Sequence, residues 1–122
     1  NSCLGQEALD FKKSLKAGEI LLLENVRFHE EETKNSLSFA KKLSEGCDIF
    51  VNDAFSCSHR AHASLHAITN FLPSYSGKLL DEEIKALESV LSSPIKPVAA
   101  LVGGAKISTK INIIEYLITK MD

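Results

Sequence analysis

The sequence predicts an α/β fold: a parallel sheet with flanking helices, three-layer and Rossmann-like, and incomplete. Three observations predict it. Two strand-length apolar runs, ILLL and PVAALV, lack polar alternation, as parallel strands covered on both faces do. Around them, apolar residues recur at helical spacing, and two of these stripes stop at a glycine. The elements also follow the order strand, helix, strand with short connections. That is a βαβ unit, whose crossover is right-handed in almost every case.

Leu4, Ala8, Phe11 and Leu15 place an amphipathic helix over residues 4–17, with Gly18 as its stop. EILLLENVRF follows as the first strand. Leu37, Ala40 and Leu43, with Phe39 beside Leu43, predict a helix over 33–45 that ends at Gly46. DIFVNDAF is the second strand. Leu80, Ile84, Leu87 and Leu91 predict a helix over 79–92 with Asp81, Glu82 and Glu83 in its first turn, where acidic residues suit the helix dipole. Turn-rich LPSYSG and SSPIKP bracket that helix and are the best domain boundaries. VAALV is the third strand, and Ile107, Ile111, Ile114 and Ile118 stripe the last helix. Three strands leave two open edges, whereas complete doubly wound sheets have about five or more strands, so the sheet reads as part of something larger.

Composition excludes several classes. At 122 residues and 44% hydrophobic, the chain can bury a core. Its net charge of -2, from 14 basic and 16 acidic residues, gives no field for nucleic acid, so any anion site must be local. No apolar run approaches the roughly 20 residues of a membrane span. NSCLGQEALDF shows no secretory pattern, which makes a cytoplasmic location the expectation. Cys3, Cys47 and Cys57 are odd in number and form no CxxC pair, which fits small reduced thiols rather than a disulfide framework.

Only two of the basic residues are arginines, Arg27 and Arg60, and each lies near the carboxyl end of a predicted strand. Ligands of open α/β sheets bind there, and a planar guanidinium suits phosphate or carboxylate. The same spacing also permits surface ion pairs, Arg27 with Glu30 or Glu31. SCSHRAHASLH carries Cys57, His59, His62 and His66, with His62 and His66 able to share a helix face. Its spacing matches no common zinc module, so these read as loop or anion-pocket histidines and no metal site is assigned. VGGAKISTK fits neither GxxxxGKS/T nor GxGxxG. It leaves a strand, a glycine turn and a helix start bearing Lys106 and Lys110, one turn apart, with Ser108 and Thr109 between. Cations in the first turns oppose the helix dipole unless an anion is bound, although two solvated lysines are the alternative.

ILLLENVRFHEEE, FVNDAFSCSHRAHAS and VGGAKISTKI, in this order, closely resemble the phosphoglycerate kinase family, over essentially the whole chain but only about a third of that family's length. The resemblance implies phosphoryl transfer between 1,3-bisphosphoglycerate and ADP, giving 3-phosphoglycerate and ATP, with Mg2+ held by residues outside this chain. It implies that Arg27 and Arg60 hold the phosphoglycerate, with Arg27 also at the reacting centre. Lys110 would bind the nucleotide phosphates, Lys106 would steady the phosphoryl group in flight, and Gly104 and Ala105 would border the nucleotide. It divides the chain into the later half of the phosphoglycerate-binding domain (1–78), a connecting helix (79–93), and the first strand and helix of the nucleotide domain (94–122). By analogy the two domains close over their ligands. Ser76 stands where the family more often has alanine, and Thr109 where aspartate is common; neither change removes a charged contact. The intact enzyme is expected to be a monomer. The chain alone is expected to be inactive, and its open sheet edges invite self-association. A stand-alone phosphate-binding module using Lys106 and Lys110 is the competing reading.

Overall fold

The computed structural model describes residues 2–92, 94–104, 108 and 110–121. The chain divides into two compact units, 1–81 and 82–122.

In the first unit, helix α1 spans Gln6–Ser14. It is shorter than the 4–17 stripe suggests and stops before Gly18. The Ser14 hydroxyl donates back to the Phe11 carbonyl (2.9 Å), competing with the next helical turn. The Lys12 ammonium donates to the Leu43 carbonyl (2.8 Å) and so ties α1 to the end of a later helix.

The helix expected over 33–45 begins only at Leu37, as α3 (Leu37–Ser44), and a separate short helix, α2 (Glu30–Thr33), precedes it. Asn35 breaks them with φ of 53°, a left-handed conformation that asparagine tolerates better than most residues. Its side chain accepts from Ala67 N–H (3.1 Å) and meets His66 Nδ1 through its amide nitrogen (3.0 Å). These tertiary bonds override the helical pattern. Ser36 then caps α3 by accepting from Phe39 N–H (3.4 Å), and Gly46 follows the helix at φ 74°. Phe39, Ala40 and Leu43 of α3 join Cys3, Ala63, Ala67 and Ile68 in the buried core, with Leu23, Val26 and Phe50 packed against it. Burial pushes the Cys3 thiol pKa up.

Strand β1 (Phe50–Asn52) pairs in parallel with β2 (Ser74–Ser76), Phe50 opposite Ser74 and Asn52 opposite Ser76. This two-stranded sheet is the one seen among the described residues, and it corrects the expected strand pattern at three places. LPSYSG contains a strand rather than only turns. Phe50 N–H donates to the Pro73 carbonyl (2.9 Å) and Gly77 N–H to the Asn52 carbonyl (2.7 Å), extending the pairing at both ends. EILLLENVRF forms no ladder among the described residues, and its end, Val26–Phe28, is a 3-10 turn. Leu21 and Leu23 are half-buried while Ile20 and Leu22 are 94% and 92% exposed, so one side of this run is covered rather than two. VAALV likewise lies outside any strand, and Leu101 is fully exposed. An apolar run becomes a strand only when a neighbour takes its backbone N–H and C=O groups, and neither run has one among the described residues.

Helix α4 (Lys78–Ser92) begins directly after β2. Asp53, just beyond β1, accepts Leu80 N–H at Oδ1 (2.9 Å) and so caps the first turn from a distant loop. Gly77 makes this approach possible, because a Cβ there would collide with the Asp53 carboxyl group. Gly77→Ala is therefore expected to displace Asp53, uncap α4 and cost about 1–3 kcal/mol of stability, read as a lowered denaturation midpoint.

In the second unit, helix α5 spans Ile111–Ile118. It starts one residue after Lys110, so Lys110 occupies the residue before the helix rather than its first turns. Ile114 is half-buried, whereas Ile111 and Ile118 are exposed; Ile107 lies outside the described residues.

Candidate functional site

The loop that leaves β1 is built by its own side chains. Asn52 accepts Ala54 N–H at Oδ1 (3.0 Å) and donates from Nδ2 to Ser58 Oγ (2.9 Å). Ser58 Oγ in turn donates to the Ala54 carbonyl (2.9 Å), so one hydroxyl is used as both acceptor and donor. This closes a tight turn over 52–58. Arg60 N–H continues it by donating to the Cys57 carbonyl (3.0 Å).

The far side of the loop is pinned to α2. Glu32 is 2% exposed, and its carboxylate accepts Ser64 N–H at Oε2 (2.9 Å) and Ser64 Oγ–H at Oε1 (2.6 Å). Its backbone carbonyl accepts Ala63 N–H (2.9 Å), and His62 Nδ1 lies 3.7 Å from Oε1. A buried carboxylate is costly unless compensated, and these donors supply the compensation.

Between these two anchors a hollow of about 310 Å³ opens beyond the carboxyl end of β1, with Asn52, Ser58, His59, Arg60, His66 and Thr69 in its wall. Arg60 is exposed there, and its Nε–H donates to His59 Nε2 (3.3 Å), which fixes His59 as the tautomer protonated on Nδ1. A guanidinium, two imidazoles and an amide line this hollow, while the Ser58 and Thr69 hydroxyls there already donate to the Ala54 and His66 carbonyls, so it is the Arg60 guanidinium that suits the wall to an anion.

Arg27 lies in the 3-10 turn Val26–Phe28, where its N–H donates to Asn25 Oδ1 (3.0 Å). It is exposed and does not line the Arg60 hollow. The ion pair with Glu30 or Glu31 does not form: Glu30 takes Lys34 instead (2.7 Å), and among the described residues Arg27 has no ion-pair partner. In the second unit, Gly104 adopts φ of 108° and the Lys110 ammonium folds back onto the Gly103 carbonyl. Lys110 and Gly104 are thus brought together at the glycine turn. Ala105 and Lys106 lie outside the described residues, as does Thr109.

The histidines of the loop have separate tasks. His59 faces Arg60, His62 faces Glu32, and His66 Nδ1 meets Asn35. His62 and His66 share no α-helix, since turns occupy residues 63–66. Among the described residues no group of three or more His, Cys, Asp or Glu could hold a metal ion. Glu32, Asn35, Asn52 and Ser64 shape this site without having been picked out from the sequence. For Asn52 a signal exists, an asparagine closing a strand before a loop. For Glu32, one of three consecutive glutamates, none does.

A parallel strand with an arginine-bearing polar hollow at its carboxyl end places the chain among α/β proteins, whose ligand sites lie at that end of the sheet. The family model described as phosphoglycerate kinase matches residues 1–122. Phosphoglycerate kinase of Prochlorococcus marinus is 53% identical over 123 residues, covering 100% of this chain and 31% of that protein. That of Bartonella bacilliformis is 52% identical over 120 residues, covering 98% of this chain and 30% of the relative. Among solved structures, phosphoglycerate kinase from Coxiella burnetii superposes with a TM-score of 0.82 at 44% identity, over 89% of this chain and 28% of that one. The Pyrococcus horikoshii enzyme does so with 0.85 at 35% identity, over 97% and 31%. The chain belongs to the phosphoglycerate kinase family, and it spans about 31% of the length of the curated relatives it matches. Its fold, mixed helix and strand with a small parallel sheet, agrees with those neighbours.

Proposed function

We propose that this chain serves phosphoryl transfer between 1,3-bisphosphoglycerate and ADP, giving 3-phosphoglycerate and ATP, as one segment of a monomeric cytoplasmic phosphoglycerate kinase. The observation that carries the reading is the Arg60 hollow at the carboxyl end of β1, in a chain whose whole length matches this family. On this reading Arg27 and Arg60 grip the phosphate and carboxylate of the phosphoglycerate. Lys106 and Lys110 act on the phosphoryl oxygens, and Gly104 and Ala105 border the nucleotide. Residues 1–78 belong to the phosphoglycerate-binding domain, 79–93 to the connecting helix and 94–122 to the nucleotide domain. No helix among the described residues is long and apolar enough to cross a membrane, which is compatible with this placement.

The chemistry asks little of proton transfer. In the direction that consumes ATP the nucleophile is a carboxylate, ionised at neutral pH, so catalysis reduces to positioning and charge stabilisation. Arginines and lysines suffice for both tasks. Family membership implies Mg2+ with the nucleotide, and the described residues offer no cluster of His, Cys, Asp or Glu to hold it.

The purified 122-residue chain, supplied with 1,3-bisphosphoglycerate, ADP and Mg2+, is expected to form no ATP above background, whereas a full-length kinase carrying the same segment does. ATP formation by the chain alone would overturn that expectation. Tight binding of 3-phosphoglycerate or ADP by the chain alone would instead favour a self-sufficient phosphate-binding module.

A further inference from the structure

We propose that Glu32 is a positioning residue that sets where Arg60 meets the phosphoglycerate, a role that rests on the reading of Arg60 as a substrate grip. Arg60 sits in a stretch, residues 58–66, with no regular helix or strand to hold it. Two side-chain anchors bracket it instead. On one side Asn52 holds Ser58, two residues before Arg60. On the other, Glu32 holds Ser64, four residues after it, through both carboxylate oxygens (2.9 and 2.6 Å), while its carbonyl holds Ala63 (2.9 Å).

Glu32 is also placed to serve the other arginine segment. Its N–H donates to the His29 carbonyl (3.2 Å), and His29 N–H donates to the Val26 carbonyl (3.1 Å), so the α2 turn continues the turn that carries Arg27. One buried residue thus joins the two stretches that carry the chain's only arginines, its N–H on the Arg27 side and its carboxylate on the Arg60 side, so that removing the side chain releases the Arg60 side alone. An exposed guanidinium on a loop reaches a fixed anion only if its Cα is held, and an error near 1 Å costs as much as about 10²-fold in rate. Without the Glu32 carboxylate, Ser64 N–H and Oγ–H lose their acceptor and the stretch after Arg60 is released.

The test uses a full-length kinase carrying this segment, with KM for 3-phosphoglycerate and for ATP measured separately. Glu32→Ala is expected to raise the 3-phosphoglycerate KM by about tenfold or more, leaving the ATP KM unchanged. Glu32→Gln should restore most of the loss, because its Oε1 can accept Ser64 N–H while its Nε2 donates to Ser64 Oγ. Ser64→Ala, which removes the hydroxyl bond alone, should give a smaller rise of the same selectivity and reads the same anchor if Glu32→Ala does not fold. In an Arg60→Ala background, neither change should raise that KM further. A lowered melting temperature with both KM values unchanged, an equal rise in both, or additivity with Arg60→Ala overturns the positioning role. If Arg60→Ala itself leaves the 3-phosphoglycerate KM unchanged, the substrate reading of Arg60 fails, and this role fails with it. If Arg60→Ala raises that KM while Glu32→Ala and Ser64→Ala do not, only the positioning role fails.

Discussion

Replacing Lys106 with alanine in a full-length kinase carrying this segment is expected to lower kcat by about 10²–10³-fold while changing the KM for 3-phosphoglycerate little. On the proposed reading this lysine steadies the phosphoryl group during transfer. Charge on the equatorial oxygens rearranges as the group passes between donor and acceptor, and a cation fixed beside them binds that state more strongly than either ground state. An interaction made in the transition state alone appears in kcat and leaves substrate affinity intact. Steady-state kinetics with both substrates varied decide the matter. A large KM change at constant kcat would reassign Lys106 to ground-state binding.

Arg60→Ala is expected to give the opposite signature, a 3-phosphoglycerate KM raised by about 10- to 100-fold. Losing one charge-assisted contact costs about 1.5–3 kcal/mol, and Arg60 lines the hollow where that contact would form. Arg60→Lys should recover only part of the loss. An ammonium keeps the charge but not the planar fork, nor the Nε–H that fixes His59 in the wall. An unchanged KM in Arg60→Ala would move the phosphoglycerate site away from this hollow.

Much of this arrangement was legible in the sequence because it depends on local pattern. Of the stripe Leu37, Phe39, Ala40 and Leu43, the last three mark the buried face of α3 while Leu37 at its start is exposed, and the two arginines stand out by their scarcity and their places after apolar runs. What was not legible depends on partners far along the chain. Asn35 holds the start of the helix expected over 33–45 back to Leu37 because it bonds to residues 66 and 67, about thirty positions away. ILLL and VAALV have strand composition, yet a strand is a relation between two segments, and composition reports only one of them. SYS reads as a turn by composition and becomes β2 because Phe50–Asn52 lies beside it. Glu32 escapes for a related reason. Three glutamates in a row look alike until the fold turns one of them inward against Ser64.

The meeting of Asp53 and Gly77 constrains how sequences of this kind can drift. The Asp53 carboxyl occupies the space that any side chain at position 77 would need, and its oxygen supplies the acceptor that the start of α4 lacks. A bulkier residue at 77 fits without displacement only beside a shorter one at 53, and a shorter one forfeits the acceptor. Two residues 24 apart in the chain are therefore coupled through one contact.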